Sequence, residues 1–383
     1  MVPKEYYGRL FTKEQLPVNY HPEALTLEGM IKVDKQLRCK RCYSWIEEDW
    51  QLPGGQYYCR ACIVFGRNQE GKELYYFPSK TSEIEFPVLK WFGELTPYQA
   101  KVSEKLLRTY QKQKDSLVHA VTGAGKTEMI YNIVAYVLEN KGHVAIASPR
   151  VDVCRELFLR MKRDFTCSIS LLHAESEPYD GSPLVIATTH QLLKFYQSFD
   201  LVIVDEVDAY PFVGNVMLNH AVEQAKTETG RFIYLTATST LSLEEQVRLG
   251  TLEKHHLARR FHGNPLVLPK LFWQGRLQKS LTRGKLPRPL LYQIKKQRKS
   301  KFPLLIFFPN IAIGEKFTSI LQKYLPDEKM AFVSSKSEKR STIVEKFRKK
   351  ELSILVTTTI LERGVTFPQV DVFVCMANHH LYT

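Results

Sequence analysis

No stretch of this sequence approaches 18 consecutive apolar residues, the length a helix needs to cross a bilayer, so no membrane span is expected. The first residues, Met1-Val-Pro-Lys-Glu-Tyr-Tyr, lack the charged segment and apolar core of a secretory signal. Cysteine is sparse and uneven: of seven, four fall at Cys39, Cys42, Cys59 and Cys62. An odd total clustered in this way argues against a disulfide framework. Cys154, Cys167 and Cys375 lie among apolar neighbours and read as packing residues. Repeats at solenoid periods are absent. The chain therefore reads as cytoplasmic, and its 383 residues, 44% hydrophobic, suffice for two or three domains.

Acidic residues are the scarcer charge, 40 against 54 Lys+Arg, which leaves +14. Such a surplus favours a polyanionic partner, because each neutralised phosphate releases counterions. Nucleic acid, an anionic membrane surface and plain solubility all stay open on charge alone. Residues 1 to about 80 are rich in Tyr, Pro, Gly and Cys and show no long amphipathic period. From about Asp115, apolar runs such as Leu117-Val-His-Ala, His143-Val-Ala-Ile-Ala, Leu184-Val-Ile-Ala, Leu201-Val-Ile-Val and Phe232-Ile-Tyr-Leu alternate with helical spacing. Strands alternating with helices predict βαβ units and a parallel sheet. A second set begins at Leu304, Met330, Ser353 and Val370 and predicts a second α/β domain. Between them, residues 255–301 are basic and contain Pro265, Pro269, Pro287 and Pro289, as an inter-domain connection or a DNA-facing surface would.

Ala120-Val-Thr-Gly-Ala-Gly-Lys-Thr127 follows one predicted strand and opens a helix. Its glycines let backbone N–H groups wrap phosphates, Lys126 can reach the outer phosphates, and the Thr127 hydroxyl suits magnesium. ATP and Mg2+ are the cofactors this loop implies. A phosphate loop needs a carboxylate at another strand's end, and Leu201-Val-Ile-Val-Asp205-Glu206 supplies it. Asp205 would hold the metal and Glu206 would polarise the attacking water.

Cys39-Lys-Arg-Cys42 and Cys59-Arg-Ala-Cys62 have the spacing of a tetrahedral Zn2+ site. Four thiolates close the coordination shell, so the site is expected to be structural. Pro53-Gly-Gly55 supplies a turn between the two knuckles, with Tyr57 and Tyr58 on the return strand. Lys40, Arg41 and Arg60 would offset the negative centre and are candidates to touch phosphate.

In their order, the motifs resemble those of a superfamily 2 helicase over residues 90–383. Leu95-Thr-Pro-Tyr-Gln99 resembles the adenine-sensing glutamine motif, with Trp91 or Phe92 nearby. Ala120–Thr127 resembles the phosphate motif in its superfamily 2 form, Ala120 included. Ser148-Pro149-Arg150 and Thr188-Thr189-His-Gln-Leu resemble the motifs that hold a nucleic-acid backbone. Asp205-Glu-Val-Asp208 resembles the magnesium motif and Thr236-Ala-Thr238 the coupling motif. Leu304–Asn310 and Thr357–Pro368 resemble motifs four and five.

The resemblance implies an α/β protein with two RecA-like parallel-sheet lobes after a small four-cysteine zinc module. The expected boundaries are 1–85 with the module at about 36–65, 86–258 for the ATPase lobe, and 259–383 for the connection and second lobe. It implies that Gln99, Thr122, Gly123, Ala124, Gly125, Lys126 and Thr127 surround ATP, with Lys126, Asp205 and Glu206 catalytic. Pro149, Arg150, Thr188, Thr189, Thr357 and Thr358 would line the DNA strand. The sequence stops at His379-His-Leu-Tyr-Thr383, before the Gln-x-x-Gly-Arg-x-Gly-Arg signature of the family, so an incomplete second lobe is expected.

The cysteine module before an Asp-Glu-Val-Asp core is similar to the late-competence ATPases of natural transformation in Gram-positive bacteria. That likeness implies ATP hydrolysis stimulated by single-stranded DNA, at the inner face of the cell membrane. It also implies a membrane DNA channel and the phosphoribosyltransferase-like product of the same operon as partners, and possible homo-oligomers. A replication-restart or recombination helicase, or a non-hydrolysing ATP-switched scaffold that binds DNA, are the alternatives.

Overall fold

Apolar runs bounded by turn residues dictate the architecture of the computed structural model, which describes residues 2–81, 84–261, 268–275, 277–361, 367 and 369–376. Of the expected features, Pro265, Arg276, most of the segment from Arg363 to Pro368, and His379–Thr383 lie outside the described residues. Two compact units are present, residues 1–266 and 267–383.

The first unit opens with short elements. Strands β1 (Leu10–Thr12), β2 (Leu25–Glu28), β3 (Met30–Val33), β4 (Gln36–Cys39) and β5 (Glu73–Tyr76) make an antiparallel sheet β1-β5-β2 and a separate hairpin β3-β4. The main sheet follows: β6 (Asp115–Ala120), β7 (Val144–Ser148), β8 (Ile169–Leu172), β9 (Leu184–Thr188), β10 (Phe199–Asp205), β11 (Lys226–Thr236) and β12 (Leu252–Leu257). Their order is β12-β6-β11-β10-β7-β9-β8, and every pairing is parallel. The apolar strands β7, β9 and β10 are buried on both faces, as the interior of a parallel sheet requires.

Because successive side chains point to opposite faces, β10 feeds two cores. Leu201 and Ile203 pack with α1 (Pro97–Gln111), α2 (Lys126–Met129), α3 (Tyr131–Glu139) and α4 (Val151–Asp164). Val202 and Val204 pack with α5 (Val216–Ala225) and α6 (Leu241–Arg248), and the same cluster takes in Met30 and the four cysteines. All four β10 residues are fully buried, which stabilises the fold by about 2 kcal/mol each.

The second unit repeats the scheme with β13 (Leu304–Phe307), β14 (Met330–Val333), β15 (Ile354–Thr357) and β16 (Asp371–Val374) in the parallel order β14-β15-β13-β16. Helices α7 (Leu277–Thr282), α8 (Arg288–Arg298), α9 (Ile311–Tyr324) and α10 (Arg340–Arg348) belong to this unit. Within the basic segment 255–301, residues 277–282 and 288–298 are therefore helical. Pro287 is the N-cap of α8 and Pro289 lies in its first turn, where a missing N–H costs nothing, so these prolines start a helix. No described helix is long and apolar enough to cross a membrane.

Candidate nucleotide site and cysteine centre

Parallel strands all finish on one side, and there the first-unit motifs gather. The phosphate loop leaves β6 at Ala120, Ser148 ends β7, Thr188 ends β9, Asp205 ends β10 and Thr236 ends β11. Asp205 is level with Leu235, and Leu235 with Val118. The acid thus stands two strands, roughly 10 Å, from the base of the loop.

Gly123 and Gly125 take φ of +79° and +74°, the left-handed conformation that turns successive N–H groups inward. A Cβ on Gly125 would also collide with Gln99 Nε2. Gln99 is buried, and its amide serves two structures at once. Nε2 donates to the Ala124 carbonyl at 2.9 Å, while Oε1 accepts the Thr96 N–H at 2.9 Å and so closes the capping box of α1. Lys126 and Thr127 are half-buried at the start of α2, and Thr122 and Gly123 are exposed.

Glu206 adopts φ +56°, a conformation that a side chain other than glycine holds at a cost. Its N–H donates to Asp205 Oδ1 at 2.9 Å. Two residues on, Asp208 Oδ1 accepts from the Thr236 hydroxyl at 2.7 Å, and that hydroxyl accepts the Thr238 N–H at 2.9 Å. The ends of β10 and β11 are thereby tied together.

Neither aromatic expected near Gln99 is among the residues that line the cavity there. Trp91 packs edge-on against Tyr131 in the core, and Phe92 is 97% exposed. Pro149 and Arg150 are half-buried, with Arg150 as the N-cap of α4. Thr188 and Thr358 are nearly covered, and Thr189 and Thr357 fully so. Thr357 and Thr358 sit at the end of β15 in the second unit.

The four cysteine sulfurs lie within 4.8 Å of one another, with Cys39–Cys62 at 3.7 Å and Cys42–Cys59 at 3.4 Å. Tetrahedral zinc with Zn–S near 2.3 Å sets sulfurs about 3.8 Å apart, so the donor set is compatible with zinc. All four are fully buried. Hydrogen bonds from the neighbouring thiols, Cys42's first, push the Cys39 thiol far below its ordinary value, while the reverse bonds push Cys59 and Cys62 up.

Arg41 lies inside this centre and is unavailable to phosphate, which corrects the expectation for it. It is fully buried, its Nε and Nη2 each 3.3 Å from Cys62 Sγ, and it donates to the carbonyls of Phe65 (2.6 Å), Cys62 (3.1 Å) and Gly66. Asn68 Nδ2 donates to Cys39 Sγ at 3.1 Å. Arg60, on the surface, pairs with Asp49 at 3.0 Å. The module is fastened to α5: His220 Nε2 lies 2.9 Å from the Lys40 carbonyl, and its ring stacks on Tyr43 at 4.7 Å. Arg38 in turn lies 3.3 Å from the Tyr43 ring centroid and 4.4 Å from that of Trp45.

Residues 96–246 match the DEAD/DEAH box helicase family and residues 286–380 the helicase conserved C-terminal domain. The DEAD-box helicase Mss116, solved with ssRNA and UDP-BeF, shares the fold at a TM-score of 0.54 and 20% identity, over 73% of this chain and 64% of that one. Fold and motifs together define a superfamily 2 helicase-type protein with two RecA-like lobes and an N-terminal cysteine module. Competence protein ComFA of Streptococcus pneumoniae is 55% identical over 382 residues, 99% of this chain and 88% of that protein. ComFA of Bacillus subtilis is 33% identical over 97% and 82%. The chain belongs to the ComFA family of competence proteins.

Proposed function

We propose that this protein is an ATPase stimulated by single-stranded DNA, which translocates along the strand and helps to import transforming DNA. The observation that carries the reading is the convergence of the phosphate loop, Asp205-Glu206 and the Asp208–Thr236 tie on one sheet edge. Lys126 neutralises the outer phosphates, while Thr122, Gly123, Ala124 and Gly125 offer backbone N–H groups to them. Magnesium, held by Thr127 and Asp205, supplies further charge neutralisation there when bound. Glu206 orients and polarises the attacking water. Loss of the outer phosphate alters what Asp205 and Glu206 hold, and Asp208 passes the change through Thr236 toward the nucleic-acid motifs.

Along the strand, Pro149, Arg150 and Thr188 act with the backbone around the covered Thr189, and Thr357 and Thr358 act from the second unit. Such contacts grip phosphates and ignore base sequence. The cysteine module is a structural zinc site. A membrane DNA channel, a phosphoribosyltransferase-like protein of the same operon and further copies of the chain are the expected partners, at the inner face of the membrane. The boundaries 1–85, 86–258 and 259–383 are the working division of these roles.

Phosphate release from ATP, with and without single-stranded DNA, single-stranded RNA and duplex DNA, tests this. Stimulation by single-stranded DNA, abolished in Lys126→Ala without loss of the melting transition, is expected. Stimulation by duplex would favour a restart-type helicase instead. Nucleotide and DNA binding without turnover would make the protein an ATP-operated scaffold.

A further inference from the structure

The chain leaving β12 runs beside the phosphate loop because Leu257 pairs with Ala120 on the adjacent strand. The Val121 N–H donates to the Leu257 carbonyl at 3.2 Å, and four residues on the Phe261 N–H donates to the Gly123 carbonyl at 3.0 Å. Residues 258–261 are therefore pinned along the loop at both ends. Between the pins, the Arg260 stem crosses Gly123, its Cγ and Cδ 3.8 Å from where a Cβ would stand. Arg259 lies over the Tyr98 ring at 5.1 Å, with Nη1 3.3 Å from the Tyr98 hydroxyl. These side chains, with Gln99, Leu257 and Phe261, line a cavity of about 300 Å3. That volume is the lower end of what small-ligand sites occupy.

Arg260 Nε is buried and has no hydrogen-bond partner among the described residues. A buried donor left unsatisfied costs free energy, and a ligand acceptor removes that cost. Arg259 and Tyr98 offer a flat cationic and aromatic wall, the surface on which a purine ring stacks. Gln99, by contrast, already commits its carbonyl to Thr96 and one N–H to Ala124.

We infer that residues 259–261 are nucleotide ligands: Arg259 and Tyr98 form a stacking wall for the purine, and Arg260 donates to the phosphates beside Gly123. The inference rests on the ATPase reading above and adds to it an arginine delivered in cis from the first unit's own end. It also accounts for the side chains that line the cavity, among which Trp91 and Phe92 do not appear.

The test is equilibrium binding of Mg-ATP, Mg-ADP and AMP to the full chain and to Arg260→Ala, Arg260→Lys, Arg259→Ala and Lys126→Ala. Charge-assisted hydrogen bonds to phosphate predict a 10–100-fold loss of ATP affinity in Arg260→Ala, roughly unchanged AMP affinity, and partial rescue in Arg260→Lys. Arg259→Ala should weaken all three nucleotides by a similar factor. ATP binding that is lost in Lys126→Ala but kept at wild-type strength in Arg260→Ala would overturn the inference and leave the ATPase reading intact. No ATP binding by the wild-type chain would overturn both. Because Arg260 is only half-buried, melting curves that match wild type separate ligand loss from misfolding.

Discussion

A guanidinium with no exposed surface, as at Arg41, is costly unless it is paired and fully hydrogen-bonded. Here the pairing is with sulfur, and three carbonyls take further N–H groups. Substituting Arg41→Met should lower zinc affinity about 10–100-fold, read by competition with a chromogenic chelator. Arg41→Lys should recover little, since a point charge cannot serve sulfur and carbonyls together. Unchanged zinc retention in Arg41→Met would refute this role. The spacing of the cysteines was legible in the sequence because metal ligation is local. Arg41 read as a surface charge because its burial depends on where the carbonyls of residues 62–66 turn, which no spacing reveals. Arg259 and Tyr98 escaped notice for a similar reason: they meet only because β12 pairs with β6.

At the scale of elements, β6, β7, β9, β10 and β11 could be read from apolar runs, since burial on both faces leaves an unbroken signature. β12, Leu-Glu-Lys-His-His-Leu, carries no such signature, because at the sheet's edge only Leu252, His255 and Leu257 are buried. One of its inward residues is His255, whose Nε2 lies 3.3 Å from Ser116 Oγ and 3.4 Å from Thr109 Oγ1. Burial pushes the His255 pKa below its ordinary 6.5, and does the same to His143 at the mouth of β7. Both are therefore neutral in the fold and take up protons more readily when unfolded. The difference costs nothing above pH 6.5, where both states are neutral, and destabilises the fold as pH falls below it, because the unfolded chain then binds more protons. Urea midpoints should drop between pH 7.5 and 5.5, and His255→Gln should flatten the dependence. A midpoint that rises on acidification would contradict the assignment.

For the whole molecule, the +14 charge predicts how a strand is held more than how tightly. If roughly six phosphates are neutralised, log affinity for single-stranded DNA should fall with log salt at a slope of about −4, measured by fluorescence anisotropy. A flat dependence would count against backbone grip as the source of binding. The cysteine centre belongs to the same buried cluster as β10 and α5, and Tyr43 and Lys40 fasten it to His220 on that helix. Ordering of the knuckles and ordering of the main sheet are therefore linked equilibria. On the proposed function, removing metal from the cysteine centre would loosen the sheet that carries the phosphate loop, so ATP turnover would depend on the supply of zinc.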